Sequence, residues 1–593
     1  MPKRDITIAM VGAGGDGIVT MGDVLSQAAA RDGLNVLKTE AYGPQIRGGE
    51  SSCVVRLSGD PIYESGDGAD VLVVFSWADF SRFKGECTPA KNAVILSDEA
   101  DPVARTPEDL GLGTDAVWIK LPFGKLSTES GAKGSKNLVG LGVLTALFGL
   151  PAETLRRAVI SRFGRKKAAV GEGALKAFEA GFLLGQTLPP MPERRLGFTP
   201  GPAKLIMSGN EATAIGALHA GCRYFAGYPI TPSTEILMFL DEWLPKMGGS
   251  LVQTEDELSA IGAVLGASFA GEKAMTATSG PGLSLMTEML GLASMAELPC
   301  VVVNVQRGGP STGLPTKSEQ SDLFQAVYAG HGDMPRVVLA CSDVEDSFHT
   351  TVDAFNIAEE YQIPVIVLSD QLVAGWRETF DPASLVHAVR ERRLPSAEEL
   401  TDYHRYRETP DGVSPIARPG VKGGIYQTNG LEHDAEGSPG SGFDLHEVMN
   451  AKRYRKLIPI RDAHTFHRRY GPKDADIGIV CWGSSKGAVR EAVRRANERG
   501  VKVAAFVPQM IYPFPKKEFE AFLKGLKRIL VVELSYSAQF YKYLRTFLDL
   551  PGDRTHVYKR SGGKNLTVAE VDAEIVALFA ALAAERVQEK VSA

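Results

Sequence analysis

The chain has 593 residues, too many for one ordinary core, and usual domain sizes point to roughly three to five domains. Its 44% hydrophobic and 23% charged residues and net charge of −6 are those of a soluble globular protein, with no single-sign run to hold nucleic acid. The opening MPKRDITIAMVG lacks a signal core, and the apolar stretch Leu138 to Leu150 falls short of the roughly 20 residues that cross a bilayer, so a cytoplasmic protein without a membrane partner is expected.

In chain order, apolar runs (ITIAMVG, DVLVVFSW, NAVILSD, AVWIKLP) alternate with helical stretches over residues 5 to about 185, the βα rhythm of a parallel sheet. A proline-rich connector around Leu188–Arg195 closes this first α/β region, 1–190. The rhythm resumes through CRYFAGYPI, KAMTATSG, CVVVNVQRG, RVVLACS and PVIVLSD in a second α/β region, 200–378. Polar turns and glycine clusters over 379–470 predict an ordered connector rather than a sheet. The runs DIGIVCWG, KVAAFVPQ and RILVVEL predict a third α/β region, 471–593. The six cysteines are scattered, with no CxxC pair and no histidine at ligand spacing, which speaks against an iron–sulfur cluster within the chain.

Gly12, Gly14 and Gly17 form GxGxxG between a predicted strand and a predicted helix, Ile18–Arg31, with Glu40 ending the next strand. Such glycines let backbone approach a phosphate at the positive end of a helix, and the acid could take a ribose hydroxyl, which would suit NAD. The following Tyr42-Gly-Pro-Gln-Ile-Arg47-Gly-Gly-Glu50 is superfluous for NAD and places a cation beside Glu40, so another phosphate-bearing ligand ranks higher. A ligand-free strand-to-helix turn accounts for Asp16 and Glu40 equally well.

In the second region three loops each follow a predicted strand: Tyr228-Pro229-Ile230-Thr231-Pro-Ser-Thr234, Thr278-Ser-Gly-Pro-Gly282 and Arg307-Gly-Gly-Pro-Ser-Thr312. The strand ends of a parallel sheet share one edge, where ligands bind. Gln253-Thr-Glu-Asp-Glu257 precedes a helix in which Gly262, Ala263, Gly266 and Ala267 recur at helical spacing, a smooth face open to a partner. A carboxylate at the head of that helix can hydrogen-bond an aminopyrimidine ring and so assist thiamine chemistry. Taken singly, Glu255, Asp256 and Glu257 are also the acids that any helix N-terminus favours.

Five motifs carry a family resemblance: Gly209-Asn-Glu-Ala212, Gly227 to Glu235, Thr276 to Gly282, Asn304 to Thr316 and Gly330-His-Gly-Asp333. Together they resemble the alpha subunit of 2-oxoacid:ferredoxin oxidoreductases, the 2-oxoglutarate enzymes most closely. The glycine loop with Tyr42 to Glu50 resembles the gamma domain of the same family, here fused in front of alpha. Trp482-Gly-Ser-Ser485 and Val531-Val-Glu-Leu534 resemble its transketolase C-terminal-like domain. The resemblance implies an α/β fold of three parallel-sheet domains: a gamma-type Rossmann-like domain, a thiamine-diphosphate-binding domain of pyrimidine type, and the transketolase C-terminal-like domain.

It also implies roles. Glu257 would contact the aminopyrimidine, with Glu255 in reserve, and Tyr228, Pro229 and Ile230 would line the cofactor. Thr231 and Arg307 would hold the substrate's 1-carboxylate and 2-oxo group, with Thr316 beside them. Gly12, Gly14, Gly17, Tyr42 and Arg47 would serve coenzyme A or a subunit contact. Two GDG triplets, Gly15-Asp-Gly17 and Gly66-Asp-Gly68, imitate the magnesium motif in the wrong context. Mg2+ with the diphosphate, and a [4Fe-4S] cluster, are therefore expected on a separate beta subunit, in a dimer of heterodimers that passes electrons to ferredoxin. The implied reaction converts 2-oxoglutarate and coenzyme A to succinyl-CoA and CO2, or runs in reverse to fix CO2. Pyruvate or another 2-oxoacid as substrate, an NAD-dependent dehydrogenase, and a non-catalytic scaffold stand as alternatives. His433, in a run of acids, reads as structural, and His331 has no assigned proton.

Overall fold

Uninterrupted apolar runs need cover on both faces, and the first of them, β1 (Asp5–Gly12), is buried at every residue after Asp5. The computed structural model describes residues 3–43, 49–103, 105–106, 108–165, 167–463 and 466–592, in two units.

The first unit is built on β1, β2 (Asn35–Tyr42), β3 (Ser51–Ser58), β4 (Ala69–Val74), β5 (Pro89–Asp98), β6 (Val117–Leu121) and β7 (Leu205–Ser208). With a returning strand, Arg377–Phe380, they form an eight-stranded sheet in the order β6-β5-β4-β1-β3-β2-(377–380)-β7. The half from β6 to β1 is parallel, as the βα rhythm predicts. Beyond β1 every pair is antiparallel, because β3 inserts between β1 and β2. Composition alone hides this half, since β3 follows β2 without a crossover helix. The strands Leu205–Ser208 and Arg377–Phe380 lie within the range 200–378, or cross its end, yet belong to the first sheet. Four-residue strands carry no signature that would move a boundary.

Helix Ile18–Arg31 has the predicted bounds. The apolar stretch from Leu138 lies in helix Lys136–Phe148, packed on helix Ala168–Thr187. Its glycines have a reason: a Cβ at Gly142 would overlap the Phe178 carbonyl, and one at Gly181 the Val139 carbonyl, so the two backbones nearly touch. Among the described residues no helix is long and apolar enough to cross a membrane.

The second unit contains β8 (Tyr224–Gly227), β9 (Ser250–Gln253), β10 (Ala274–Thr278), β11 (Cys300–Gln306), β12 (Val337–Ala340) and β13 (Pro364–Asp370). The chain next forms β14, the returning strand Arg377–Phe380 already described, and then β15 (His467–Tyr470), β16 (Ile477–Val480), β17 (Val503–Pro508), β18 (Met510–Tyr512), β19 (Arg528–Glu533) and β20 (Thr555–Lys559). One sheet runs β18-β12-β13-β11-β10-β8-β9 and the other β15-β17-β16-β19-β20. All pairs are parallel except those made by β15 and β18. Because β18 crosses to pair with β12, the two sheets share one core, in which Val302 and Ile366 pack with Phe506 and Ile529. Gln320 joins them again, donating to the Trp482 carbonyl at 2.7 Å and accepting from the Leu534 N–H at 3.0 Å.

Residues 385–463 seal the amino edge of the seven-stranded sheet with buried cations. Arg392 pairs with Glu359 at 2.6 Å and donates to the Ser268 carbonyl at 2.7 Å. Deeper in, the wholly buried Glu297 accepts from Lys452 at 2.6 Å and Lys456 at 2.5 Å, and its own carbonyl accepts from Arg405 at 2.8 Å. Burial pushes the Glu297 carboxyl up, but the three cations outweigh it and hold the group below the usual carboxylate range. Glu297→Gln should lower the chemical-denaturation free energy by about 3–5 kcal/mol, the usual penalty for breaking one side of a buried pair. Burial pushes Lys456 down to about 7. Between there and the unfolded value of about 10.4 only the unfolded chain binds its proton, so stability rises with pH across that window. Lys456→Met should flatten that rise in denaturant titrations at fixed ionic strength.

Candidate active site

The carboxyl ends of β8, β10 and β11 bring the three loops read from the sequence to one edge of the seven-stranded sheet. Arg307 ties the first loop to the third: its Nη1 donates to the Thr231 carbonyl at 2.6 Å. The side chain is only 6% exposed, and its Nε has no hydrogen-bond partner. Burial pushes its pKa down, and the charge of Asp322 partly restores it. Asp322 is itself pushed up by burial, against a 3.0 Å hydrogen bond from Asn304 Nδ2 and the charge of Arg307. Thr231, Thr316 and Tyr228 are exposed, while Pro229 and Ile230 are half-buried.

Glu257 opens helix Glu257–Ala270, whose first turn is capped by Asp256 accepting from the Ser259 N–H at 2.7 Å. The Glu257 side chain turns inward to 5% exposure, and Thr278 Oγ1, at the end of β10, donates to its Oε1 at 3.5 Å. Glu255, two residues earlier, is exposed. Gly282 makes room for this carboxylate, since a Cβ there would overlap both Thr278 Oγ1 and Glu257 Oε1. Gly280 does the same for Asp322, whose Oδ2 would lie 2.8 Å from an added Cβ. Around this point Thr276 Oγ1, Ser279 Oγ and Asn304 Oδ1 are buried with no partner in the protein. Such orphaned atoms beside a buried carboxylate suit a heteroaromatic ring rich in donors and acceptors. The aminopyrimidine half of thiamine diphosphate is of that kind, so the residues present fit it.

Asp322 was not singled out by the sequence, whereas Thr278 and Asn304 open motifs that were, without a role assigned to either. No spacing marks Asp322, because it stands at the end of the loop that follows β11 and meets Asn304 and Arg307 only through the fold.

The N-terminal glycine turn is arranged differently from a dinucleotide site. Gly17 has φ +73°, and Asp16 folds back to accept from the Ala13 N–H at 2.9 Å. A Cβ at Gly12 would lie 2.8 Å from the Asp16 carboxylate, while Gly14 is exposed. Glu40 sits on β2, separated from β1 by β3, and is occupied by Lys38 and the Tyr42 hydroxyl. That removes the acid an NAD ribose would need. Tyr42 is exposed, and Arg47 lies outside the described residues. The second GDG triplet is also committed, Asp67 accepting from the Ala569 N–H at 2.7 Å. No group of three or more His, Cys, Asp or Glu side chains able to hold a metal occurs among the described residues. His433 is buried, its Nδ1 2.8 Å from the Leu431 carbonyl and its ring 4.1 Å from that of Tyr406, and His331 is exposed.

Comparison with known proteins matches residues 7–184 to the family described as pyruvate ferredoxin/flavodoxin oxidoreductase. Residues 215–448 match its thiamine-diphosphate-binding region, and residues 475–571 its core domain II. The 2-oxoglutarate oxidoreductase subunit KorA of Mycobacterium tuberculosis is 33% identical over 90% of this chain and 86% of its own length. The chain belongs to the 2-oxoacid:ferredoxin oxidoreductase family. Within that family, the 2-oxoglutarate synthase subunit KorA of Methanothermobacter thermautotrophicus is 42% identical over 57% of this chain and 90% of its own. The 2-oxoglutarate:ferredoxin oxidoreductase of Magnetococcus marinus, solved with 2-oxoglutarate, coenzyme A and succinyl-CoA bound, superposes with a TM-score of 0.92 at 37% identity, over 97% of this chain and 100% of that one. The oxidoreductase fold thus extends over nearly the whole chain.

The steric role of Gly282 can be checked without any assay of turnover. Gly282→Ala should cost about 1–3 kcal/mol in thermal or chemical unfolding, the range for overpacking a tight core. An unchanged midpoint would mean that Glu257 and Thr278 have room to spare.

Proposed function

We propose that this chain is the fused gamma–alpha subunit of a CoA-acylating 2-oxoglutarate:ferredoxin oxidoreductase. In the forward direction it would yield succinyl-CoA and CO2 with electrons passed to ferredoxin, and in reverse it would fix CO2. The observation that carries this reading is the pairing, on one sheet edge, of a buried carboxylate among orphaned polar atoms with a buried arginine whose Nε is free. The substrate rests on relatives named for 2-oxoglutarate.

When bound, thiamine diphosphate supplies the nucleophile and the electron sink for loss of CO2. Glu257 would share a proton with the aminopyrimidine ring, helped by burial that excludes water from the exchange. Tyr228, Pro229 and Ile230 would line the ring's pocket. Arg307 keeps a guanidinium at low exposure with hydrogen-bonding capacity to spare, which suits the 1-carboxylate. The Thr231 hydroxyl would take the 2-oxo oxygen, and Thr316 would close the pocket from the exposed side. Because Arg307 is anchored to the Thr231 backbone, the two substrate contacts move together.

Half of the cofactor must be held by another chain. All six cysteines are buried, and no group of three or more His, Cys, Asp or Glu side chains able to hold a metal occurs among the described residues. We assign Mg2+, the diphosphate contacts and the [4Fe-4S] cluster to a beta subunit, in a dimer of heterodimers. The exposed face around Leu258, Gly262 and Gly266, next to Glu257, is where that subunit would dock. The glycine turn and Tyr42 keep their two roles, coenzyme A or a subunit contact.

The test is co-expression with the beta subunit and an assay of CoA-dependent ferredoxin reduction across a panel of 2-oxoacids. Activity on pyruvate or a branched-chain 2-oxoacid alone would overturn the substrate. Arg307→Lys should raise KM about 10–100-fold with a smaller change in kcat, since a charge-assisted hydrogen bond contributes ~1.5–3 kcal/mol. Glu257→Gln should lower kcat by ~10²–10⁴-fold at normal expression. Turnover unaffected by both substitutions would make the chain a scaffold.

A further inference from the structure

The motifs Trp482 to Ser485 and Val531 to Leu534 play no part in the site described above. They stand where β16 and β19 end. In the sheet β15-β17-β16-β19-β20 the chain winds from β16 to β17 on one side and then to β19 on the other. The crevice between the ends of β16 and β19 is therefore the switch point, where open α/β sheets bind their ligands. Here a residue of the same chain fills it. Gln320, wholly buried, donates its backbone N–H to the Leu534 carbonyl at 2.7 Å and accepts the Leu534 N–H on Oε1 at 3.0 Å. Its Nε2 donates to the Trp482 carbonyl at 2.7 Å, and the Ser485 hydroxyl donates to Oε1 at 3.3 Å. Gly483, at φ +58°, makes the room: a Cβ there would lie 2.7 Å from Gln320 Nε2.

The loop that ends on Gln320 is the one that carries Arg307 and Thr316. It doubles back on itself, the Gly308 N–H donating to the Lys317 carbonyl at 2.9 Å and the Leu314 N–H to the Gly308 carbonyl at 2.7 Å. Fixing the chain just after Lys317 therefore fixes the residue next to Arg307. Two further contacts from the third region hold the same stretch. The Gly562 N–H donates to Glu319 Oε1 at 2.8 Å, and Gln539 bridges the Ser321 carbonyl at 2.7 Å and the Phe324 N–H at 3.0 Å. Residues 309–316 are exposed, so within this chain their place is set from the two ends of the loop. We infer that Gln320 is a positioning residue for the 2-oxoacid, holding Arg307 and Thr316 in place by filling the switch-point crevice of the third region as an internal ligand. The inference rests on the substrate roles proposed for those two residues. Gln320 itself touches neither substrate nor cofactor, and through it a sheet with no residue in the site governs how tightly the substrate is held.

The experiment uses the full chain with its beta subunit. Gln320→Met keeps the side chain's length and loses its hydrogen bonds. It should raise KM for the 2-oxoacid about 3–10-fold, the range for a lost hydrogen bond, and leave kcat and KM for coenzyme A within about twofold. Gly483→Ala, outside the loop, should raise the same KM by displacing Gln320, and it carries the test if Gln320→Met fails to fold. In the Arg307→Lys background Gln320→Met should add little, because a residue that acts through Arg307 has nothing left to position. Amide exchange over residues 307–320 should quicken about tenfold in Gln320→Met, while helix Glu257–Ala270 exchanges as before. A lowered melting temperature with KM unchanged, KM increases that multiply in the double variant, or unchanged exchange would each overturn the inference and leave the substrate reading standing. A wild-type complex that turns over no 2-oxoacid would sink the substrate reading instead, and the exchange measurement would then decide the role of Gln320.

Discussion

A parallel sheet has two ragged edges of strand ends, and a site can open at one only if the other is closed. In the seven-stranded sheet, closure falls on Glu297, just before β11, because one carboxylate there gathers Lys452 and Lys456 from a helix nearly 160 residues away in sequence. Lys273, before β10, repeats the device, donating to the Ala220 and Arg390 carbonyls and to Glu391. Cations suit this task, since a long aliphatic stem packs against apolar neighbours while its head meets carbonyls at the strand ends. With the amino edge closed, the carboxyl edge is left to carry the loops of the site.

At that open edge, order comes from shared anchors rather than from rigid loops. Arg307 holds the Thr231 backbone, Asn304 holds Asp322, and Gly280 and Gly282 let two carboxylates press against the main chain. Each anchor leaves a neighbouring polar atom unpaired, at Arg307 Nε, Asn304 Oδ1 and Ser279 Oγ. Unpaired buried groups destabilise a free protein by about 1–3 kcal/mol each, so this edge is folded at some cost. Under the proposed function, a cofactor or substrate that met those atoms would offset that cost without rearrangement.

Much of this was legible in the sequence. The helix Ile18–Arg31, the three loops at one sheet edge and the motifs of the family all depend on local order or on spacing within one strand-loop unit. The inserted β3, by contrast, depends on pairing between β1 and a later strand, and neither Ser51–Ser58 nor its neighbours announce which partner they will choose. The same holds for Leu205–Ser208, whose place in the first sheet is decided by Arg377–Phe380, far along the chain. The residues 379–470 were read as an ordered connector because their polar turns lack periodicity, and within them the buried Arg392, Arg405 and Lys452 tie the segment to the sheet. A charged side chain in a sequence looks like surface until its partner is known. Asp322 escaped notice for that reason.

The short strand β18 has a wider meaning. It lies between β17 and the third region's later helices, yet it pairs with β12 and so completes the sheet that holds Glu257 and Arg307. A border drawn where composition changes, near residue 470, would strip three residues from a neighbour's sheet and bare its edge. In this protein a change of composition does not mark the border of mechanical integrity.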